Sequence, residues 1–251
     1  MGSRDVRNDV ACDNLQEMNV LILVLSARRE PWGALLNCSM ETWDSEIHPQ
    51  TRTLYYCGKS NEASNDTVFS SPQFDEELER VAPRTMEAYE YALTIPNWDF
   101  MARTHSSTYV HKRNLVDYCE TLHRKNLLMG LLVTGERPFL WGGGSYIMSR
   151  DVIEQFVGNK DRWNMGIMED NGMTDLANEL GIPLNGKGRM ASIDTTNDGY
   201  LVTSYGVGDG FTFTNWEDIN RAQPHYYFRC KQDLRRHEDL MIFRQLHKHL
   251  K

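Results

Sequence analysis

Three polar segments carry side chains that could bind or transform an anionic substrate: residues 26–29, residues 103–109 and residues 141–151. The first two segments each follow an apolar run of strand length, and both combine arginine with serine. Arginine makes bidentate contacts to phosphate oxygens, and a serine hydroxyl can donate or accept a hydrogen bond. A solvated turn at the end of a strand is the alternative interpretation of both segments.

The third segment contains three consecutive glycines, Gly142, Gly143 and Gly144, and the acidic pair Glu169 and Asp170 follows it in the chain. Consecutive glycines cost backbone entropy, so they indicate a close approach of a ligand or of another chain segment to the backbone. A carboxylate that reaches into a pocket can accept the proton of an attacking hydroxyl. The alternatives are a flexible turn for the glycines and a helix N-cap for Asp170.

The hydrophobic pattern predicts the elements that position these segments. Residues 19–25 contain a continuous apolar run, typical of a parallel strand that is covered on both faces. Further strands are expected over residues 51–57, 98–102 and 146–148, helices over residues 32–43, 85–93, 112–125, 151–157, 172–180 and 233–247, and a glycine-rich stretch up to residue 210. Because strands alternate with helices in the first half, we predict an α/β fold with a mostly parallel central sheet flanked by helices. Such sheets bind ligands at the carboxyl ends of their strands.

Composition restricts the classes of partner. The formal net charge is −8 and the chain has no long basic run, so we expect no nucleic-acid partner. The five cysteines form no CxxC pair, which favours reduced thiols in a cytosol-like compartment. The apolar run of residues 20–25 is too short to span a bilayer, so we expect no membrane segment and a cytoplasmic location, the host cytoplasm for a viral protein. An anchor upstream of the opening Met1, Gly2 and Ser3 is compatible with this interpretation.

In their order along the chain, the motifs resemble those of the β1,3-galactosyltransferase and Fringe group of GT-A glycosyltransferases. The matching residues are Ser26 and Ala27, the run Pro83-Arg84-Thr85, the segments 103–110 and 141–151, and the pair Glu169 and Asp170. The resemblance covers about residues 19–182. It is closest to small viral and microbial relatives that carry a Ser-Ser pair where animal enzymes carry acidic residues.

The resemblance implies a domain organisation. Residues 1–18 are polar and lack periodicity, which predicts a flexible arm, and the resemblance implies a single GT-A-type domain over residues 19–251. Residues 19–110 would form a Rossmann-like half that binds a nucleotide sugar. Residues 111–251 would form the acceptor-binding half and the C-terminal helix.

The family's metal motif is altered in this chain. In the family a strand ends in Lys-Thr-Asp-Asp-Asp-Thr-Tyr-Val, whose aspartates hold a divalent ion against the donor diphosphate. Here His105, Ser106 and Ser107 stand at the three acidic positions. Mg²⁺ and Mn²⁺ prefer carboxylate oxygens, so we predict no metal site and no other cofactor. The departing diphosphate still needs positive charge, which basic side chains must then supply.

The resemblance also implies roles for individual residues. Asp170 is the expected base of an inverting displacement, and Glu169 is expected to orient the acceptor or the sugar. Trp141 and the glycines at 142–144 are expected to approach the donor sugar or the acceptor. The residues expected to bind the donor within the region of resemblance are Ser26, Ala27, Arg28, Arg84, Arg103, His105, Ser106 and Ser107. Arg229 and Lys231 lie outside that region and are donor-binding candidates because basic side chains must replace the charge of the metal. An ordinary basic segment before the final helix is the alternative interpretation of these two residues.

On this interpretation the protein is a hexosyl- or pentosyltransferase. Its expected partners are a nucleotide sugar, with a UDP-sugar favoured, and a glycan or glycoconjugate acceptor. Two alternatives stay open. One is a catalytically inactive GT-A domain that binds glycan or nucleotide sugar, and the other is a metal-dependent enzyme that uses His105.

Overall fold

The structure is a computed structural model that describes residues 17–60, 64–206, 209–222, 224–230 and 235–251. Most of the predicted N-terminal arm, residues 1–16, and the candidate donor-binding residue Lys231 lie outside the described residues. Within these ranges no helix combines the length and the apolar character that crossing a bilayer requires. Four of the five cysteines fall in the described part, where Cys38, Cys57, Cys119 and Cys230 are buried free thiols.

The described strands and helices alternate along the first half of the chain, as the sequence predicts. The strands are β1 (Val20–Leu25), β2 (Thr51–Cys57), β3 (Val68–Ser70), β4 (Phe100–His105), β5 (Thr108–Val110), β6 (Leu128–Gly130), β7 (Leu132–Val133), β8 (Phe139–Leu140), β9 (Tyr146–Ser149), β10 (Leu184–Asn185), β11 (Met190–Thr196), β12 (Gly199–Tyr205), β13 (Phe211–Phe213) and β14 (Tyr227–Cys230). The helices are α1 (Trp32–Glu41), α2 (Val81–Leu93), α3 (Lys112–Cys119), α4 (Arg150–Gly158), α5 (Glu169–Glu179) and α6 (Arg236–Leu250).

A central sheet with the strand order β10-β6-β9-β4-β1-β2-β3 organises the described residues. Strand β9 runs antiparallel to its neighbours β4 and β6, and the other pairings of this sheet are parallel. The predicted α/β fold with a mostly parallel central sheet flanked by helices is therefore confirmed.

Strand β1 explains why the first apolar run has no polar alternation. Val20, Ile22 and Val24 belong to a core cluster on one face of the sheet. Leu21 and Leu23 belong to the cluster on the opposite face. Helices α1, α3 and α6 contribute to the first cluster, and α2, α4 and α5 contribute to the second. Both faces of β1 are thus buried, as the continuous hydrophobic run predicts.

A second sheet, with the order β13-β12-β11-β14-β5, was not predicted from the sequence. Residues 190–205, which the sequence analysis assigned to a glycine-rich stretch, form the antiparallel hairpin of β11 and β12. The two-residue turn between these strands is Asn197 and Asp198, residue types that favour tight turns, and Gly199, which pairs with Thr196 where β12 begins, has a φ of 144°. These turn residues are the feature of the sequence from which the hairpin could have been predicted. Strand β14 of this sheet pairs antiparallel with β5, so that Arg229 lies opposite Thr108.

Several helices differ from their predicted bounds, including α2, which begins at residue 81 and not at 85, and α6, which covers residues 236–250 and not 233–247. The helix predicted to begin at residue 172 begins at Glu169, with Met168 as its N-cap. Asp170 is therefore inside the first helical turn, and its interpretation as an N-cap is wrong. The helix predicted over residues 112–125 ends at Cys119, and the chain then turns back to β6 through Asn126, which has a φ of 52°. Asparagine tolerates this left-handed conformation better than most residues do.

Candidate functional site

A cleft of about 330 Å³ opens at the carboxyl ends of β1 and β4, and we refer to it as the arginine cleft. The predicted donor-binding residues that line it are Ser26, Ala27, Arg84, His105, Ser106, Ser107 and Arg229. Arg29, from the first polar segment of the sequence analysis, also lines it, and the sequence analysis missed three further polar or aromatic lining residues, Trp32, Glu76 and Arg236. Leu25, Leu78 and Val81 add an apolar wall. The position agrees with the rule that α/β sheets bind ligands at the carboxyl ends of their strands.

Arg84 on helix α2 brings a buried positive charge to this cleft. The residue is only 2% exposed, and its Nη1 atom has no hydrogen-bond partner among the described residues. Its Nε donates to the carbonyl oxygen of Arg80 at 3.4 Å, a weak contact. Burial lowers the pKa of the Arg84 guanidinium from its usual value, yet an arginine stays charged near neutral pH. A buried charge without a partner is costly, so this position favours an anionic ligand.

Arg229 reaches the same cleft from strand β14. Its Nη1 donates to the carbonyl oxygen of Gly143 and lies 3.2 Å from Nε2 of His105. Its Cζ lies 5.0 Å from the centroid of the Trp141 ring. Arg229 therefore connects the cleft with the glycine turn, which the sequence alone placed in a separate segment.

His105 is a neutral imidazole in this site. Burial lowers its pKa well below the usual value, and the nearby Arg229 and Arg103 cations lower it further. Its Nε2 lies 3.0 Å from the carbonyl oxygen of Gly142, and its Nδ1 lies 3.3 Å from Oγ of Ser107. A carbonyl oxygen only accepts, so we assign the proton to Nε2, and Nδ1 accepts from the Ser107 hydroxyl.

The side chains at positions 105–107, one imidazole and two hydroxyls, do not fit a divalent cation. Among the described residues, no group of three or more His, Cys, Asp or Glu side chains could hold a metal ion. Nε2 of His105 already contacts a backbone carbonyl oxygen, and the guanidinium of Arg229 lies beside it. Serine hydroxyls at 106 and 107 supply no compensating negative charge. A divalent ion would meet a like charge at this position.

Arg103 lies behind the cleft and does not line it. Its side chain is 2% exposed and forms an ion pair with Glu169, whose side chain is 5% exposed, at 3.0 Å between Nη2 and Oε2. Its Nη1 donates to the carbonyl oxygen of Gly142 at 3.3 Å. Burial raises the pKa of the Glu169 carboxyl, and Arg103 opposes that rise. The position of Arg103 outside the cleft lining differs from the expectation that it binds the donor, whereas the expectation that Glu169 orients the acceptor or the sugar stays a prediction.

Asp170 lies next to the glycine turn and is partly exposed. Its Oδ2 accepts from the backbone N–H of Gly142 at 3.1 Å, and its Oδ1 accepts from the backbone N–H of Asn171 at 2.9 Å. The backbone N–H of Gly142 thus donates to Asp170. The carbonyl oxygen of Gly142 accepts from His105 and Arg103. The first turn of α5 also favours a negative charge at this position through the helix dipole.

The glycines are required by neighbouring chain segments. A Cβ atom on Gly142 would lie 2.8 Å from Oη of Tyr146 and 3.3 Å from Oε2 of Glu169. A Cβ atom on Gly143 would lie 2.5 Å from Nη1 of Arg229. Of the interpretations left open by the sequence, close approach of another chain segment is the one that the structure supports.

Arg28 faces away from the arginine cleft. Its Nη2 donates to Oγ of Ser70 at 2.9 Å, and its backbone N–H donates to Oε1 of Glu76 at 2.6 Å. The backbone N–H of Arg29 donates to the other carboxylate oxygen of Glu76 at 3.1 Å. Arg28 therefore contributes to the shape of the loop after β1, which positions Ser26 and Ala27.

No protein-family model matches the chain, and no curated protein sequence matches it either. A similar solved structure is the crystal structure of a glycosyltransferase involved in the glycosylation of the major capsid of PBCV-1. The two chains are 13% identical with a TM-score of 0.48, over 90% of this chain and 98% of the other.

Proposed function

We propose that this chain transfers a sugar from a nucleotide sugar, with a UDP-sugar favoured, to a hydroxyl group of a glycan or glycoconjugate. The observation that carries the proposal is the arginine cleft itself. It combines Arg84, whose buried Nη1 has no hydrogen-bond partner among the described residues, with Arg229 at the carboxyl ends of β1 and β4, next to an apolar wall. A nucleoside diphosphate has the matching composition, since its base is largely apolar on its faces and its phosphates are anionic.

The proposed reaction is an inverting displacement. The acceptor oxygen attacks the anomeric carbon, the bond from that carbon to the diphosphate oxygen breaks, and the acceptor proton passes to Asp170. The nucleoside diphosphate leaves with the bonding electron pair, and Arg84 and Arg229 stabilise its additional negative charge. Asp170 is joined to the cleft through Gly142, whose carbonyl oxygen accepts from His105. In this proposal no divalent metal takes part, because the side chains at 105–107 do not fit one.

Glu169 and Arg103 act as positioning residues in this proposal. Their buried ion pair lies against Gly142, so it fixes the backbone that holds Asp170. Neither side chain needs to touch the substrate. Trp141 and the glycines at 142–144 form the wall between Asp170 and Arg229, where the sugar ring or the acceptor would lie.

The test is a panel of nucleotide sugars measured with and without EDTA. We expect one donor to raise the melting temperature in proportion to the logarithm of its concentration over its dissociation constant, and to be hydrolysed slowly without acceptor. A panel in which no nucleotide sugar binds would contradict the proposal.

A second candidate function is a binding module without catalysis. Both carboxylate oxygens of Asp170 accept backbone hydrogen bonds within the protein, an arrangement that also suits a purely structural side chain. This candidate predicts that a nucleotide sugar or glycan binds and is neither hydrolysed nor transferred. Turnover of the bound donor distinguishes the two functions.

A further inference from the structure

The arginine cleft contains a cation that the family resemblance did not suggest, Arg236 at the start of α6. Its Nη1 donates to Oδ2 of Asp239 at 2.9 Å and to the carbonyl oxygen of Cys230 at 3.3 Å. Its Cζ lies 4.8 Å from the centroid of the Trp32 ring, which also lines the cleft. Contacts with α6, β14 and α1 therefore hold this guanidinium at the cleft wall.

Asp239 is a fully buried carboxylate that the proposed mechanism does not use. Its exposure is 0%, whereas the side chain of Arg236 is 14% exposed. A buried carboxylate is costly unless a cation balances it, and Arg236 supplies that charge. The pair places the guanidinium in the cleft before a ligand arrives, so little reorganisation is needed on binding.

The balance of charge in the cleft favours a ligand with more than one negative charge. Among the described residues, four arginines line it, namely Arg29, Arg84, Arg229 and Arg236, against one carboxylate, that of Glu76. Both oxygens of that carboxylate accept backbone N–H groups of the loop after β1. The chain as a whole carries a formal net charge of −8, so this local excess of positive charge opposes the overall composition. A diphosphate offers several anionic oxygens to such a set of donors.

A second arginine of this chain makes similar contacts at the other end of the sheet. Arg150 has its Cζ 4.6 Å from the centroid of the Trp98 ring and pairs with Glu154 at 3.2 Å. Its guanidinium donates to the backbone carbonyl oxygens of Leu93 and Ile95. The backbone N–H of Arg150 bonds to Asp99, just before β4 begins, so this stack lies at the amino end of that strand. The chain thus offers a matched control for an arginine stacked on tryptophan outside the cleft.

We propose that Arg236, held by Asp239 and Trp32, binds the diphosphate of the donor together with Arg84 and Arg229. This inference rests on the proposed function, because it names a further contact for the same donor. It also makes α6 part of the donor site, although that helix lies beyond the region of family resemblance. The other occupant to be tested is a single phosphate group, which would need fewer of these cations.

The experiment measures binding of UDP and of inorganic pyrophosphate to the full chain by isothermal titration calorimetry. Arg236→Ala should weaken both ligands by about tenfold or more, the effect of losing a charged hydrogen bond. Arg236→Lys should lie between wild type and Arg236→Ala, because lysine keeps the charge and loses the planar fork. Arg150→Ala, the matched control, should keep both affinities within about twofold, since it lies outside the cleft.

Arg236→Ala leaves the buried Asp239 without its cation, so the double variant Arg236→Ala/Asp239→Ala is measured beside it. The double variant removes both charges and should show the same loss of affinity with a smaller loss of melting temperature. Trp32→Phe keeps an aromatic face and should weaken pyrophosphate less than Arg236→Ala does. A larger effect of Trp32→Phe than of Arg236→Ala on pyrophosphate would overturn the assignment.

The outcomes separate this inference from the proposed function. Equal affinities of wild type and the Arg236 variants for both ligands overturn the inference alone. Pyrophosphate binding that depends on Arg236, without any nucleotide-sugar turnover, supports the inference and contradicts the proposed transfer. Binding of inorganic phosphate as tightly as pyrophosphate overturns the diphosphate assignment. If wild type binds neither UDP nor pyrophosphate, both proposals fall.

Discussion

Arg103 and Glu169 lie 66 positions apart in the chain and form a buried ion pair, with 3.0 Å between Nη2 and Oε2. The pair joins the end of β4 to the first turn of α5. Because both side chains are nearly inaccessible to water, neither charge can be compensated by solvent if its partner is removed. The pair therefore fixes the helical turn that carries Asp170 against the end of the central sheet.

Removing one partner of this pair should destabilise the fold. Arg103→Ala or Glu169→Ala is expected to lower the free energy of unfolding by about 3–5 kcal/mol, because each leaves an uncompensated buried charge. The double variant Arg103→Met/Glu169→Leu should recover much of that loss. Urea denaturation measures the effect, with Arg137→Ala as the control, since the exposed pair of Arg137 and Asp175 should contribute about 1 kcal/mol or less. Equal small effects at both pairs would contradict the buried-charge account.

Arg84 and Arg229 should determine the affinity for the donor diphosphate. We expect Arg84→Ala and Arg229→Ala each to weaken UDP binding by about 1.5–3 kcal/mol, the range for charged hydrogen bonds. Arg84→Lys should restore binding only in part, because lysine lacks the planar fork. Arg80→Ala on the same side of α2 removes an exposed arginine and serves as the control. Unchanged UDP affinity in both cleft variants would remove the main support for a diphosphate site.

Removal of divalent metal ions by EDTA should leave the rate of sugar transfer unchanged. The positions 105–107 offer one neutral imidazole and two hydroxyls, with Arg229 beside them, so no tight divalent site is expected. Activity is measured after dialysis against EDTA and again after addition of Mn²⁺ or Mg²⁺. A fall of more than about tenfold on chelation, equivalent to about 1.4 kcal/mol, would instead support the metal-dependent alternative that uses His105.

Asp170→Asn should separate catalysis from donor binding. Asparagine keeps the shape of the side chain and can still accept the N–H of Gly142, but it is not basic. We expect transfer to fall by about 10²- to 10⁴-fold while UDP affinity stays within a few-fold. Glu169→Gln should cost less activity, because Glu169 positions the turn and does not accept the proton. Transfer by Asp170→Asn at close to the wild-type rate would assign the base to another carboxylate, such as Asp194 or Asp198.

The depressed pKa of His105 predicts a loss of stability in mild acid. Burial, Arg229 and Arg103 keep this imidazole neutral in the folded state, whereas the unfolded chain binds a proton below a pH of about 6.5. The unfolded state therefore binds more protons, and stability falls as the pH drops below that value, by up to about 1.4 kcal/mol per pH unit. Urea denaturation at several pH values between about 7.5 and about 5.5 gives the free energy of unfolding at each pH. This free energy should change less with pH for His105→Gln than for wild type. His123→Gln, which alters an exposed histidine, is measured beside it as the matched control.

Several features could be predicted from the sequence because they depend on local patterns. The run Val20–Leu25 has no polar alternation, which predicts a strand buried on both faces, and the structure confirms it. The alternation of strands and helices predicts the α/β sheet, and chain order then places Ser26 and His105 at the same edge of it. Strand periodicity depends on neighbours in sequence, and the alternation of strands with helices favours parallel crossovers, so both could be predicted without coordinates.

Only the tertiary structure decided which charges meet. Arg103 resembled a donor contact in sequence, but its pairing with Glu169 turns it away from the cleft. Arg229 reaches His105 because β14 pairs with β5 in one register, and a hairpin that the sequence analysis missed completes that sheet. Arg236 enters the cleft from a helix more than 200 residues after Trp32. Pairings over such separations depend on strand register and on the direction of each side chain, and a one-residue slip in register would reverse them.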